Sequence, residues 1–133
     1  GRQAVVLQID TRKLEGQYYC FTNGAREKSK YSLVNWIKEA QSLGVGEIHI
    51  TSIDNEGIDK EIPLDLAAIC REYTKLPIIF SGGIRSAEII SKLYKDFYID
   101  SFSFSSWTNI IGLSVNQIRE ILLSYGHEVR IVK

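Results

Sequence analysis

The chain has 133 residues, 44% apolar and 24% charged, the size and make-up of one soluble globular domain. Sixteen basic and sixteen acidic side chains cancel, so no general field draws the chain to nucleic acid or to an anionic membrane, and any anion site must be local. No apolar run approaches the roughly 20 residues of a membrane span.

Residues 4–9 (AVVLQI) are an apolar, β-branched run ending at Asp10, the pattern of a buried strand. A polar stretch follows over 11–30. Within it QYYCFT has the composition of a short hairpin strand, and Asn23-Gly24 marks a turn. The cluster Arg26-Glu27-Lys28-Ser29-Lys30 reads as a solvated loop. Ser32 is placed to cap a helix that buries Leu33, Val34, Trp36, Ile37, Ala40 and Leu43 and stops at Gly44. A second strand is expected over 47–53 (EIHITSI), followed by a loop, DNEGIDKE. Pro63 then opens a helix with an apolar face of Leu64, Leu66, Ala67, Ile69, Cys70 and Tyr73. The third strand is expected over 76–80, with Ser81-Gly82-Gly83 after it. Ser86 caps the next helix, whose Ile89, Ile90, Leu93 and Tyr94 should point inward. The fourth strand is expected over 101–105, and the last helix over 114–125, closed by Gly126.

Strands that alternate with helices predict an α/β fold with a parallel sheet and right-handed crossovers. The alternation inside the strands narrows this. Gln8 and Asp10, then Glu47, His49 and Thr51, then Ser101, Ser103 and Ser105 share one face of their strands. A doubly wound sheet meets helices on both faces and should be apolar on both. One polar face fits a barrel lumen, so the expected fold is a (β/α)4 unit, half of a (β/α)8 TIM barrel.

Barrels of that kind work at the C-terminal ends of their strands. There the chain places Asp10, Thr51-Ser52, Ser81-Gly82-Gly83 and Ser105-Ser106. Glycines and small residues let backbone N–H groups approach an anion, and the loops after the last two strands are the usual phosphate site. Asp10 is the candidate general acid or base, against a plain turn-capping role. His49 lies deeper, mid-strand, and is expected to be a hydrogen-bonded core histidine. Cys20 and Cys70 match no zinc or redox spacing and read as reduced thiols of a cytoplasmic protein. His49 and His127 have no carboxylate or thiol at ligand spacing, so no metal is expected, and no cofactor. The chain has no Met and opens directly into strand-like sequence. It is therefore expected to be part of a longer chain, without a signal peptide.

With these residues in view, the sequence resembles the C-terminal half of the cyclase subunit of imidazole glycerol phosphate synthase, from histidine biosynthesis. The likeness runs nearly end to end and rests on VVLQID, TNGAREKS, WIKEAQSLGVGEI, TSID with a Gly three residues on, LPIIFSGG and SYGHEVRI. It implies that residues 1–133 are one C-terminal half-barrel domain of a parent of about 250 residues, carrying strands five to eight. The resemblance further implies a lyase-type cyclase. It would use ammonia from a glutaminase subunit to convert a bis-phosphorylated ribulosyl-formimino aminoimidazole carboxamide ribonucleotide to imidazole glycerol phosphate.

Carried over by motif, Asp10 matches the second-half catalytic aspartate and Thr51 a site-lining threonine. Gly57, Gly82, Gly83 and Ser106 match a phosphate cradle, with Ser52, Ser81 and Ser105 beside it. Glu47 matches a member of the charged gate where ammonia enters. The chain departs from the family at Glu56-Gly57-Ile58, where Asp-Gly-Thr is typical, and at Glu61, where a Gly is usual. The final strand reads SFSFSS, and Gln8, His49 and Ser103 stand where the family tends to be apolar. The departures, and the absence from this chain of the second catalytic carboxylate, carry two further readings. One is a divergent homologue that delivers ammonia to a sugar acceptor in surface-polysaccharide synthesis. The other is a non-catalytic phosphate-binding half-barrel that pairs with its missing N-terminal half or with itself.

Overall fold

The computed structural model describes residues 1–57 and 60–130. Ile58 and Asp59 of the second-strand loop, and Ile131 of the SYGHEVRI run, lie outside the described residues. Six strands form one sheet: β1 (Val6–Leu14), β2 (Gln17–Thr22), β3 (Glu27–Ser32), β4 (Glu47–Ser52), β5 (Ile78–Ser81) and β6 (Ser101–Ser103). The helices are α1 (Leu33–Leu43), α2 (Leu64–Tyr73), α3 (Ala87–Phe97), the short α4 (Ser106–Asn109) and α5 (Val115–Ser124).

The sheet order is β3-β2-β1-β4-β5-β6, and β1, β4, β5 and β6 run parallel. Those four follow one another in chain order without a reversal. Right-handed crossovers that always step the same way put every helix on the same face. Accordingly α1 lies beside α2, and α2 beside α3. A doubly wound sheet reverses its order and covers both faces. The arrangement here is that of half a TIM barrel, as the polar strand face led one to expect.

Two elements depart from expectation. The first strand continues four residues past Asp10, because Glu15-Gly16 forms a two-residue hairpin turn with φ of 50° and 82°. The Arg26–Lys30 region is not a loop. Residues Glu27–Ser32 form β3, an edge strand paired with β2. Its alternating charges suit an edge, where Lys and Glu side chains can turn to water and discourage further pairing. The β2 strand and the turn at Asn23-Gly24 form as read. The hairpin covers only the upper part of β1, from Asp10 to Leu14. Below that, Val5 and Val6 stand half exposed, at 51% and 49%.

Helix boundaries follow the capping chemistry. Ser32, Ser86 and Ser114 each accept a backbone N–H three residues on, and Ser114 with Gln117 completes a capping box. Gly44 ends α1 with φ of 82°. The core lies between the helices and the strand face carrying Ile9, Ile48, Ile50, Ile78 and Phe80, all at most 2% exposed. Leu43, expected on the buried face, is exposed in the last turn of α1, and Tyr94 is not inward as expected but half exposed, flanking the α3 stripe with its ring edge-on to His127. Trp36 is half buried and tilted against Tyr31, with centroids 4.7 Å apart. The fourth strand is shorter than expected, because Ser105 turns to helical backbone to open α4.

Candidate functional site

The strand registers stack the polar face in rows. Gln8, His49, Ile79 and Ser101 form one row, and Asp10, Thr51, Ser81 and Ser103 form the next. The second row sits at the C-terminal end of the parallel strands, beneath the loops. Above it lies a cavity of about 200 Å³ lined by Thr51, Asn55, Glu56, Gly57, Ser81, Gly82, Gly83, Arg85, Ser105 and Ser106, with Gln8, His49 and Ser103 reaching its floor.

Seven residues singled out by sequence therefore share one concavity: Thr51, Gly57, Ser81, Gly82, Gly83, Ser105 and Ser106. Asp10 flanks it. It pairs with Thr51 in register, is half buried, and accepts a hydrogen bond from Gln8 Nε2 at 3.2 Å. Ser52 is not brought to the cavity. Strand alternation turns it to the helix side, where it is buried and donates to Asn55 Oδ1 at 2.7 Å. Glu47 stands at the other end of β4, opposite Val6.

The glycine pair is required by packing before any ligand is considered. Gly82 and Gly83 have φ of 81° and 87°. A Cβ on Gly82 would lie 2.3 Å from Ser52 O, and one on Gly83 would lie 2.5 Å from Ile62 N. The backbone of the third-strand loop is thereby clamped against β4 and the loop before α2, and Ile62 N donates to Gly83 O at 2.9 Å. Gly57, by contrast, has φ of 68°, and among the described residues nothing lies within 4 Å of where its Cβ would be. Its backbone faces the cavity.

Three contributors escaped sequence reading. Asn55 is buried, accepts from Ser52 and donates to Glu61 O at 2.6 Å, so it braces the loop whose Glu56 and Gly57 form one wall. Only its position three residues after a strand-end serine hinted at this. Arg85 lines the wall. An arginine just after Ser-Gly-Gly and before a capping serine was a readable signal for an anion site. The third is Trp107, whose Nε1 donates to Arg85 O at 2.6 Å, while Ser106 Oγ donates to Ile84 O at 3.3 Å. These two bonds tie α4 to the Gly83–Arg85 loop.

On the floor, His49 Nε2 is 3.1 Å from Ser81 Oγ, which is 2.8 Å from Thr51 Oγ1. His49 is thus hydrogen-bonded as expected, yet half buried rather than in the core. Above Asp10 the hairpin is strapped to the site. Arg12 Nε donates to Asp54 Oδ1 at 2.7 Å, and Lys13 and Tyr18 donate to the two oxygens of Asp65 at 2.5 and 3.0 Å. Burial, then the Asp65 carboxylate, hold the Tyr18 phenol well above its usual range. For Asp65 burial acts upward, but the bonds from Lys13, Tyr18 and the Leu66 backbone outweigh it and keep the carboxyl below 3.8. Cys20 and Cys70 are free and buried, and burial pushes each thiol up to about 12. Among the described residues no group of three His, Cys, Asp or Glu side chains is set to hold a metal. Nor is any helix long and apolar enough to cross a membrane.

Residues 1–102 match the family described as histidine biosynthesis protein. The chain is 30% identical over 131 residues to the imidazole glycerol phosphate synthase subunit HisF of Chlorobaculum tepidum, covering 98% of this chain and 52% of that protein. The same subunit of Campylobacter concisus is 34% identical over 131 residues, covering 98% and 51%. That of Lysinibacillus sphaericus is 35% identical over 133 residues, covering 98% and 53%. The chain spans about half the length of the curated relatives it matches.

Proposed function

Because the chain belongs to the histidine biosynthesis protein family, we propose that it is the C-terminal half of a cyclase of the imidazole glycerol phosphate synthase type. The parent enzyme takes ammonia from a glutaminase partner in the cytoplasm and closes an imidazole ring on a bis-phosphorylated ribonucleotide. One observation carries the reading. Asp10, Thr51 and Ser81 stand in register at one end of the parallel strands, beside a cavity walled by Gly57, Gly82, Gly83 and Ser106. Asp10 is the acid or base. The glycine loops, Arg85 and Ser106 hold one phosphate, with Ser105 beside it. Thr51 and Ser81 order the substrate between phosphate and carboxylate. Glu47, at the far end of β4, belongs to the ammonia entrance.

The test has two arms. In the full-length parent, Asp10→Asn should abolish ammonia-dependent turnover and leave the fold intact; unchanged turnover removes Asp10 from the chemistry. In the chain itself, a bis-phosphorylated ribonucleotide analogue and inorganic phosphate should both shift the amides of Gly57, Gly82, Gly83 and Ser106. Phosphate shifts without analogue shifts would keep the cradle and discard the substrate.

A second reading has its own observation. Glu61 accepts from Ser86 Oγ at 3.3 Å at the N-terminus of α3, and Glu56 lines the cavity. Two carboxylates near the cradle weaken its attraction for a dianion. This supports a homologue that delivers ammonia to a different acceptor, such as a sugar. Failure of the parent to complement a histidine auxotroph, with phosphate still bound, would favour it.

A further inference from the structure

The floor of the cavity is a chain of hydrogen bonds whose direction is fixed at one end. Ser81 is buried and donates its proton to the Ile50 carbonyl at 3.4 Å, an atom that can only accept. Its two lone pairs are left for Thr51 Oγ1 at 2.8 Å and His49 Nε2 at 3.1 Å, so both of those groups donate to it. Each then has an acceptor to spare. A neutral imidazole protonated at Nε2 carries a bare Nδ1, and Nδ1 of His49 has no partner among the described residues. It is not sealed from solvent either, because no buried side-chain nitrogen or oxygen among those residues lacks a partner. Thr51 has spent its proton on Ser81 and keeps both lone pairs of Oγ1. Both residues line the cavity, and Asp10 stands opposite Thr51 in register with a carboxylate. Gln8 and Ser103 bring donors to the floor from the flanking strands, but β4 between them offers a ligand lone pairs only.

We propose that His49 and Thr51 form a subsite for an N–H group: the lone pairs of His49 Nδ1 and Thr51 Oγ1, with the Asp10 carboxylate beside them, take up an amine nitrogen of the ligand. A hydroxyl has one proton to give, whereas two neighbouring acceptors and a carboxylate suit a nitrogen with two or three. The inference rests on the reading of the cavity as the site of a phosphorylated ligand. It extends that reading by assigning an acceptor subsite beside the anion cradle. The ligand class is a phosphate ester with an amino nitrogen a few bonds from the phosphorus.

The experiment uses the purified chain at about pH 8, where histidine is ordinarily neutral. Phosphoethanolamine and phosphocholine are the probes, matched in charge but with N–H groups only in the first, and inorganic phosphate is the control. His49→Leu and Thr51→Val should each weaken phosphoethanolamine about tenfold, the loss of one hydrogen bond from a charged donor, and leave phosphocholine and phosphate unchanged. Thr51→Ser keeps the lone pairs and should bind phosphoethanolamine within about twofold of the unsubstituted chain. Equal loss for both esters, no loss for either, or a Thr51→Ser as weak as Thr51→Val each overturn the proposal. The ring 15N shifts of His49 supply a second readout. They should show a proton on Nε2 and a bare Nδ1 whose signal moves with phosphoethanolamine and not with phosphocholine. A proton on Nδ1 overturns the inference. If no phosphate compound binds, the phosphate reading fails, and methylammonium against tetramethylammonium tests the subsite on the same Nδ1 signal. A shift with methylammonium alone keeps the subsite, and silence removes it.

Discussion

Replacing Gly82 by alanine tests the architecture of the site at its tightest point. The residue has φ of 81°, a backbone region that costs a residue with a Cβ roughly 1–2 kcal/mol. The new methyl would also lie 2.3 Å from Ser52 O and 3.1 Å from Ser52 C and N. Backbone atoms cannot swing aside as a side chain does, so β4 and the third-strand loop must separate, at about 1–3 kcal/mol. The expected destabilisation is about 2–5 kcal/mol, a large share of the ~5–15 kcal/mol that holds a domain folded. Gly57→Ala is the control. It has φ of 68° and, among the described residues, no atom within 4 Å of the new methyl, so only the same backbone strain of roughly 1–2 kcal/mol applies. Urea unfolding of the three proteins measures the difference. With a slope of about 1–3 kcal/mol per M, the Gly82 variant should unfold roughly 1–2 M earlier than the Gly57 variant. Equal midpoints would refute the close approach and, with it, the claim that packing demands the glycine.

Four further outcomes follow from the same geometry. Cys20 and Cys70, buried with thiols near 12, should resist a disulfide reagent at neutral pH and react fully once urea unfolds the chain. The Asp65 carboxyl lies below 3.8 in the folded chain, so its contribution is present above that pH and fades as pH falls through the lowered value. The Lys13–Asp65 pair is 46% exposed on each side and contributes little alone, yet Asp65→Asn should blunt the acid limb of a stability–pH curve. Tyr18 is raised from 10.0, so its contribution is complete below that pH and is lost as pH climbs past it; Tyr18→Phe should flatten the alkaline limb. Finally, Ser114→Ala breaks the capping box of α5 and should lower stability by ~1 kcal/mol, read by thermal unfolding.

The departures from expectation show which physics is local. Capping serines, Gly44 and the apolar stripes of α1, α2 and α3 were legible because a helix end or face is decided by residues within a turn or two. The polar and apolar faces of the strands were legible for the same reason, since alternation is built into the backbone. The Arg26–Lys30 segment was misread because an edge strand takes its pairing from β2, while its own composition looks like solvated loop. The continuation of β1 past Asp10 was hidden because Glu15-Gly16 is a less familiar turn pair than Asn23-Gly24. Asn55 and Arg85 gained their places only when loops from two different strands closed over the same space.

Sequence alone thus determined the repeating strand–helix units, the polar strand face and the candidates Asp10, Thr51, Gly82 and Gly83. Each of these follows from chain-local periodicity or from a motif of adjacent residues. Tertiary structure decided the rest. Register placed Asp10, Thr51 and Ser81 in one row and set His49 against Ser81. Packing also set Ser52, which alternation had already turned from the cavity, against Asn55. A strand shifted by one residue would invert every one of those side chains, and only packing of the apolar face on the helices chooses between the two.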